Sequence, residues 1–325
     1  MDNTQLIAIF ASIVLQASPL IIAVCGETLS ERAGIVNLSL DGSMLLSAMT
    51  GFIAAYLSGN LILGFTAAAA VGAFFALIVA FGSIQLRQSQ VAIGFVLTLL
   101  GDSLSAFLGQ NYTRLPGPSV RHLPIPILQD IPFLGPVLFN QDGLVYFAIA
   151  LVAATYWFLF HSRPGLELRS VGERPEAAFA RGVNVRKLRY LYTLVGGALV
   201  GIAGAAYSLD VKIGWSEGHT RGLGWIALAI VIFGGWSPVR GALGALLFGT
   251  TKAVATVLQR TFPEVSVVAF NALPWLLMLV VLLAVSGKAV ERLLETAPKW
   301  LKRPLRQMLV VAPPAALGRE PRGTS

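Results

Sequence analysis

The sequence has few charged residues and a single cysteine. Only 12% of its 325 residues are charged, 55% are hydrophobic, and the mean hydropathy is +0.73. This balance excludes an ordinary soluble domain and is typical of a protein that crosses a membrane several times. Because Cys25 has no second cysteine to pair with, no intramolecular disulfide can form, and we expect Cys25 to be a small buried hydrophobic residue.

The signatures of nucleotide hydrolysis and metal catalysis are also missing. There is no GxxxxGK[ST] phosphate loop, no HExxH and no paired CxxC, and the three histidines are scattered. We therefore predict no metal, no cofactor and no enzymatic activity. An intramembrane enzyme is a remote alternative, because no nucleophile has a base at a fitting spacing. The chain is not expected to bind ATP through such a loop, so any energy source would be an ion gradient or a partner.

Nine apolar runs are candidates for membrane spans, since about 20 helical residues cross about 30 Å of hydrocarbon. The runs cover residues 5–26, 38–58, 61–84, 91–110, 144–161, 191–209, 224–236, 241–259 and 268–286. The sequence therefore predicts an all-α, polytopic integral membrane helical bundle of about nine spans. The seventh run is short, and it could be one half of a broken or re-entrant helix that pairs with the eighth run across Ser237 and Pro238.

The orientation follows from the loops, because Lys and Arg resist translocation. If loop 162–190 is cytoplasmic, the inner side holds 18 basic residues and the outer side 5, so we predict an N-terminus outside and a C-terminus inside. Residues 1–287 would then form the transmembrane domain, and residues 288–325 a basic cytoplasmic tail that suits contact with anionic membrane lipid. The net charge of +8 is explained by these basic residues in the inner loops and the tail, so no nucleic-acid partner is expected. The proline-rich loop 111–143 is predicted to be a rigid extracytoplasmic lip.

The loop 162–190 carries a short helix with both of its ends marked. Pro175 suits the first helical position, and Gly182 suits the left-handed residue that ends a helix. A helix of about two turns is marginal in water, so packing must hold it in place. Phe179 is the residue that we expect to insert into whatever covers the loop. The spacing leaves open whether this helix lies on lipid headgroups or docks onto a soluble partner.

Asp41 and Asp102 are the clearest ionisable residues within predicted spans, where a charge is costly and is a functional candidate by default. Asn37 precedes Asp41 by four residues, so a helix through both would place them on one face, where they could bind a polar solute. Hydrogen bonding between helices is the alternative role for both aspartates. Glu27 and Glu31 fall in a turn expected after the first span and are interpreted as surface charges.

Glycines recur at helical spacing in two predicted spans and would allow close approach of helix backbones. They are Gly197, Gly201 and Gly204 in one span and Gly241, Gly244 and Gly249 in the other. This pattern predicts a tightly packed bundle whose spans can slide.

Three stretches resemble the permease subunits of bacterial ABC importers for branched-chain amino acids, simple sugars and nucleosides. They are GETLSERAGIVNLSLDGSML, RSVGERPEAAFARGVNVRKLRYLYTLVGGALVGIAGA and LGWIALAIVIFGGWSPVRGALGALLFG. The SERAGxVNLxxDG and FGGWSPxxG patterns are most similar to nucleoside-type permeases. The similarity extends over roughly residues 26–286. The family often has Glu where Asp41 stands, so a shorter side chain would alter the reach of this carboxylate.

The resemblance implies a subunit of the bacterial inner membrane, with residues 1–287 as its permease domain. It would work by alternating access with a second related permease, an ABC ATPase and an extracytoplasmic solute-binding protein. The resemblance also implies that the short helix is the coupling helix to the ATPase. The predicted coupling residues are Gly172, Glu173, Pro175, Glu176, Ala177, Ala178, Phe179 and Gly182. The predicted residues of the solute pathway are Asn37, Asp41, Asp102 and Trp215, with Trp236 as a further aromatic candidate.

The predicted cargo is a nucleoside, a small polar solute that suits aromatic and amide groups. Within the same class the alternatives are a simple sugar or a branched-chain amino acid. From a different class, an ion-coupled secondary transporter or channel would act alone on a proton or sodium gradient.

Overall fold

The computed structural model describes residues 3–285, 298 and 312–318, and within these ranges the regular structure is helical, without strands. The helices are α1 (Asn3–Arg32), α2 (Leu40–Ser58), α3 (Leu61–Ile84), α4 (Gln90–Gly109), α5 (Gly143–His161), α6 (Arg163–Glu173), α7 (Pro175–Ala180), α8 (Val185–Ala206), α9 (Leu223–Phe233), α10 (Pro238–Thr261), α11 (Val267–Asn271) and α12 (Leu273–Val285). The predicted all-α helical bundle is confirmed.

Seven of the described helices are long and apolar enough to cross a membrane, namely α1 to α5, α8 and α10. The other two predicted spans form shorter apolar helices, α9 and the α11–α12 pair. At 1.5 Å per residue, the 11 residues of α9 extend about 17 Å, roughly half the thickness of the hydrocarbon layer. The predicted shortness of the seventh run is therefore confirmed, whereas the count of nine and the orientation stay predictions.

Helix α1 is longer than predicted and buries two carboxylates at its end. It continues to Arg32, and Glu27 and Glu31 are 0% and 1% exposed. The interpretation of these glutamates as surface charges is wrong, because the segment 33–39 folds back over Glu27 and Trp236 packs against Glu31. Glu27 Oε1 accepts the Asn37 N–H at 3.2 Å, and the Glu31 carboxylate accepts the indole N–H of Trp236. Cys25, in the same helix, is buried as expected.

Helix α8 packs against α1, α2 and α3. A Cβ added at Gly201 would lie 2.8 Å from the carbonyl carbon of Ala68 in α3, and one at Gly204 would lie 2.5 Å from the Met44 carbonyl oxygen in α2. Such distances leave no room for a side chain, so glycine is required where these backbones meet. The predicted close approach of the helices is confirmed.

The loop 162–190 forms two helices, of which the sequence predicted only the second. The first, α6, begins where Ser162 Oγ accepts the Gly165 N–H at 3.0 Å. The second, α7, begins at Pro175 as predicted, and Gly182 follows its end with a φ of 82°. The loop is therefore an α6–α7 elbow between the long helices α5 and α8.

A segment near the C-terminus returns to this elbow. The Ala316 N–H donates to the Gly172 carbonyl oxygen at 2.9 Å, and the Ala315 N–H donates to Glu173 Oε2 at 3.3 Å. The Gly318 N–H lies 3.3 Å from the Gly34 carbonyl oxygen. Residues 312–318 thus bridge the end of α6 and the turn after α1. Of the predicted basic tail, 288–325, the structure describes residues 298 and 312–318, and the rest lies outside the described residues.

Candidate functional site

A cavity of about 750 Å³ opens beside the start of α9, between the end of α8 and the middle of α10. Its lining combines aromatic and cationic side chains with a few aliphatic ones. The aromatic groups are Tyr207, Trp215, His219 and Trp275, and the cationic groups are Arg114, Lys212, Arg221 and Lys252. Its volume falls within the range of small-molecule sites. The cavity can therefore accept a solute with a flat face and hydrogen-bond acceptors.

Three of the aromatic rings pack against one another. The rings of Tyr207 and His219 are stacked with centroids 5.5 Å apart and planes inclined by 18°. Trp215 meets His219 edge-on at 6.3 Å, and its side chain is buried. A Cβ at Gly109 would collide with the indole ring of Trp215, so glycine makes room for this tryptophan. The cluster offers a prearranged apolar and aromatic wall.

His219 is held neutral by its surroundings. Burial lowers its pKa to about 4, and the nearby positive charges of Lys212 and Lys252 act in the same direction. Its Nδ1 donates to the Ser216 carbonyl oxygen at 2.6 Å, and its Nε2 lies 3.0 Å from Ser208 Oγ. At neutral pH this ring is therefore an uncharged aromatic surface with both nitrogens engaged.

Two cationic groups of the cavity have defined partners. Lys252 Nζ donates to the Tyr207 hydroxyl at 3.3 Å and lies 5.0 Å from the centre of that ring. Arg221 donates to Asp102 Oδ1 at 2.8 Å, which raises the pKa of the arginine. About half of the Arg221 side chain and a third of the Asp102 side chain are exposed, so solvent weakens this ion pair. The predicted pathway residue Asp102 is thus connected to the cavity by its ion pair with Arg221, which lines it.

Asp41 holds the start of α9. Its Oδ1 accepts the N–H of Gly222 at 2.8 Å and the N–H of Gly224 at 3.0 Å, and the residue is 4% exposed. The first amides of a helix lack intrahelical partners and carry the positive end of the helix dipole, so a carboxylate stabilises them. This geometry favours the structural alternative for Asp41, because its carboxylate faces backbone amides rather than the cavity lining.

Asn37 does not share a helix with Asp41, and the prediction of a common face is wrong. Gly34 adopts a φ of 88° after α1, and α2 begins only at Leu40, so Asn37 lies in a non-helical connection. Its Oδ1 accepts hydrogen bonds from the N–H and the hydroxyl of Ser39. Asn37 is buried, and its Nδ2 has no hydrogen-bond partner among the described residues.

The four predicted pathway residues therefore separate into different places. Trp215 lines the cavity, Asp102 meets its rim, Asp41 anchors the helix beside it, and Asn37 lies with Glu27 under the segment 33–39. Trp236 follows the far end of α9, where its carbonyl oxygen accepts two hydrogen bonds from Arg32 at 3.0 and 3.1 Å. Trp215 and Trp236 are thus associated with opposite ends of α9.

Sequence reasoning missed most of the cavity residues, among them Lys252, Tyr207 and His219. Lys252 lies inside a predicted span, and the rule that flagged the two aspartates applies equally to it. Tyr207 and His219 carry no such local signal, because their significance depends on the contact between the end of α8 and the loop before α9. Only the tertiary structure brings these rings to Trp215.

The α6–α7 elbow lies at the end of the bundle where α1 ends. Packing holds α7 there, as expected, since Ala178 is buried with Val171 and Val185 in a small apolar cluster. Phe179 points away from this cluster and is 49% exposed. A second, smaller cavity adjoining the first is lined by Gln16 of α1. Gln16 and Arg32 are 16 positions apart, which corresponds to about 24 Å of helix. The elbow and the cavities are therefore well separated along α1.

Comparison with known proteins identifies relatives over most of the chain. A family described as "Branched-chain amino acid transport system / permease component" matches residues 9–285. The chain is 40% identical over 245 residues to a putative glucose ABC transporter permease protein, TsgC13, of Haloferax volcanii, covering 74% of each protein. No solved structure matches the chain significantly.

The matches to two further relatives cover more of each relative's length. The nucleoside ABC transporter permease protein NupC of Lactococcus lactis is 33% identical over 296 residues, covering 87% of this chain and 93% of the relative. The guanosine ABC transporter permease protein NupQ of Bacillus subtilis is 34% identical over 309 residues, covering 89% of this chain and 95% of the relative.

Proposed function

The chain belongs to the family of branched-chain amino acid transport system permease components, and from that premise we propose that it imports nucleosides as a subunit of an ABC transporter. It is the membrane-embedded permease component of such a transporter and a multi-pass protein of the inner membrane. ATP hydrolysis is assigned to a separate partner subunit, since the sequence contains no phosphate-binding loop.

The observation that carries the nucleoside proposal is the aromatic wall of the 750 Å³ cavity. A nucleobase has two flat apolar faces, and its stacking on an aromatic side chain contributes about 1–3 kcal/mol per base in single-stranded nucleic acid complexes. The stacked pair of Tyr207 and His219, with Trp215 beside it, offers that type of surface. The relatives named as nucleoside and guanosine permeases support the same cargo.

A simple sugar is the second candidate, because the relative named as a putative glucose permease shares 40% identity with the chain. Sugars also pack their apolar faces on aromatic rings, so the cavity alone does not separate the two cargoes. Transport measurements decide between them.

We assign the α6–α7 elbow to the contact with the ATPase. Its exposed Phe179 can enter a groove in the partner, and burial of such a side chain contributes about 1.5–3 kcal/mol. The residues proposed for this contact and its support are Gly172, Glu173, Pro175, Glu176, Ala177, Ala178, Phe179 and Gly182. The elbow is then cytoplasmic, and the lip 111–143 faces a solute-binding protein on the other side, with a second permease completing the pathway.

In this proposal, helix α9 transmits movement between the elbow and the cavity. Asp41 holds its first amides beside the cavity, while Glu31 and Arg32 bind Trp236 just after its last turn. Its start is thus bound to α2 and its end to the end of α1. In the proposed cycle, ATP-driven movement of the elbow displaces α1, and α9 transmits that displacement to the cavity.

Uptake measurements test the cargo. Cells with and without the chain are supplied with radiolabelled nucleosides, sugars and branched-chain amino acids. Loss of nucleoside uptake alone supports the proposal, whereas loss of sugar or amino-acid uptake alone replaces the cargo. If the purified chain alone in liposomes transported solute on a proton or sodium gradient, the importer assignment itself would be wrong.

Variants of the elbow test the ATPase contact. Phe179→Ala and Glu176→Ala should lower both uptake and the amount of ATPase that co-purifies with the chain. Leu166→Ala is a matched control, because Leu166 is an exposed apolar residue on the neighbouring helix α6. Normal uptake and normal co-purification in both elbow variants would contradict the coupling role.

A further inference from the structure

Lys252 occupies the interior of α10, where a charged side chain is costly. It follows the first residue of α10 by 14 positions and precedes the last by 9, so about 21 Å and 14 Å of helix flank it. The helix is one of the candidate membrane spans. An ionisable residue at such a position persists when it serves a function.

No carboxylate neutralises Lys252 within the described part of the chain. The two ion pairs found there join His122 to Asp142 and Arg221 to Asp102. The ammonium group has three N–H donors and no acceptor, and one of them is directed at the Tyr207 hydroxyl. Two donors of Lys252 therefore remain for a ligand.

Lys252 lies where two cavities adjoin. It lines both the 750 Å³ cavity and a second cavity of about 180 Å³, and the two share Tyr207, Lys212 and Pro274. The second cavity also contains the polar side chains of Gln16, Thr256 and Gln259. Lys252 is therefore one of four residues that border both cavities.

The larger cavity offers donors but few acceptors. Among the described residues, its lining contains no carboxylate and no carboxamide, and its charged groups are all Lys or Arg. Arg114, Lys212 and Arg221 are exposed, so water competes for them. Lys252 is half-buried beside the Tyr207 ring, where a lower dielectric strengthens its hydrogen bonds. Lys252 is thus the group best placed to discriminate between solutes.

Stacking does not provide such discrimination, because every base has an aromatic face. Bases differ at the edge. Inosine, guanosine and uridine carry an oxo group there, which accepts a hydrogen bond, whereas adenosine and cytidine carry an amino group, which donates one. We propose that Lys252 reads this edge and that the cavity selects nucleosides with oxo-substituted bases over their amino-substituted counterparts. This inference rests on the proposed nucleoside function and adds a residue and a preference to it.

The test compares initial uptake of two matched pairs, inosine with adenosine and uridine with cytidine, in cells that depend on this chain. Within each pair the solutes differ mainly at one oxo or amino group. We expect the wild type to favour the oxo member by about tenfold, the equivalent of one charge-assisted hydrogen bond. In Lys252→Gln, whose amide both donates and accepts, the ratio should fall to about one. Lys252→Arg should keep the preference.

Thr251→Val is the matched control, since Thr251 is adjacent on α10, does not line either cavity and bonds only the Leu247 carbonyl oxygen of its own helix. It should leave the ratio unchanged. Immunoblotting of membranes confirms that each variant is present, and Lys252→Met replaces Lys252→Gln if the latter is not.

The outcomes separate the claim that the chain imports nucleosides from the claim that Lys252 selects among them. No nucleoside uptake by the wild type overturns the proposed function and, with it, this inference. Equal uptake within the pairs by the wild type, or the same tenfold ratio in wild type and Lys252→Gln, overturns the role of Lys252 and leaves the nucleoside function standing. The latter result would assign the selection to the solute-binding protein.

Discussion

Replacement of Asp41 separates a structural role from a role in transport. Its Oδ1 accepts the two amides that start α9, at 2.8 and 3.0 Å, in a position that is 4% exposed. In Asp41→Ala each buried amide loses its partner at a cost of about 1–3 kcal/mol, and the charge at the helix start is worth roughly 0.3–2 kcal/mol more. We therefore expect a total loss of about 2–8 kcal/mol in the free energy of unfolding.

Asp41→Asn keeps an oxygen acceptor and loses the charge, so it should cost only about 1–2 kcal/mol. Asp102→Asn is the matched control, because its ion pair with Arg221 is partly exposed and worth at most about 1 kcal/mol. Thermal unfolding of the purified protein in detergent should rank the variants, with Asp41→Ala the least stable, then Asp41→Asn, then Asp102→Asn close to the wild type.

Uptake at a temperature where all variants remain folded completes the test. We expect Asp41→Asn to retain most of the wild-type rate, because the helix start keeps an acceptor. If Asp41→Ala unfolded at the wild-type temperature but failed to transport, the carboxylate would act on the solute and the reasoning from hydrogen bonds to α9 would be refuted.

Three further predictions follow from packing and charge. Gly201→Val should greatly reduce the amount of folded protein in membranes, because no side chain fits against the backbone of α3; a normal amount, measured by immunoblotting, would contradict the close packing. Ala316→Arg should release the segment 312–318 and increase hydrogen exchange at the end of α6, whereas Ala315→Arg, at an exposed position, should not; equal exchange in both variants would count against the docked segment. His122 donates to Asp142 and Asn140, which raises its pKa, so its stabilisation of the lip is complete below the ordinary pKa and is lost as the pH rises through the raised one. Limited proteolysis of the lip should therefore accelerate with rising pH in the wild type, and a similar acceleration in His122→Ala would refute this account.

Features that depend on neighbouring residues in sequence were predictable. Long apolar runs predicted the helical bundle, and Pro175 with Gly182 predicted both ends of α7, because these residues act through local backbone geometry. The shortness of α9 followed from the number of apolar residues before Ser237 and Pro238. The glycine spacing of α8 predicted close contact but did not name the partner helices.

Features that depend on where the chain turns were not predictable. A helix through Asn37 and Asp41 was expected, but the left-handed Gly34 ends α1 and leaves Asn37 in a non-helical connection. The same return of the chain buries Glu27. Periodicity cannot reveal such a reversal, because the residues that cover the carboxylate belong to the turn itself.

The sequence by itself determined the class of the molecule: an apolar, charge-poor chain must form membrane helices, since backbone amides in hydrocarbon need partners within each segment. Only the tertiary structure decided what the polar residues do. It placed Asp41 on the amides of α9, and it assembled Tyr207, His219 and Lys252 from three separate segments into one cavity. These contacts join residues that are 12 positions apart for Tyr207 with His219, 45 for Tyr207 with Lys252 and 183 for Asp41 with Gly224. No local sequence pattern carries information over such separations.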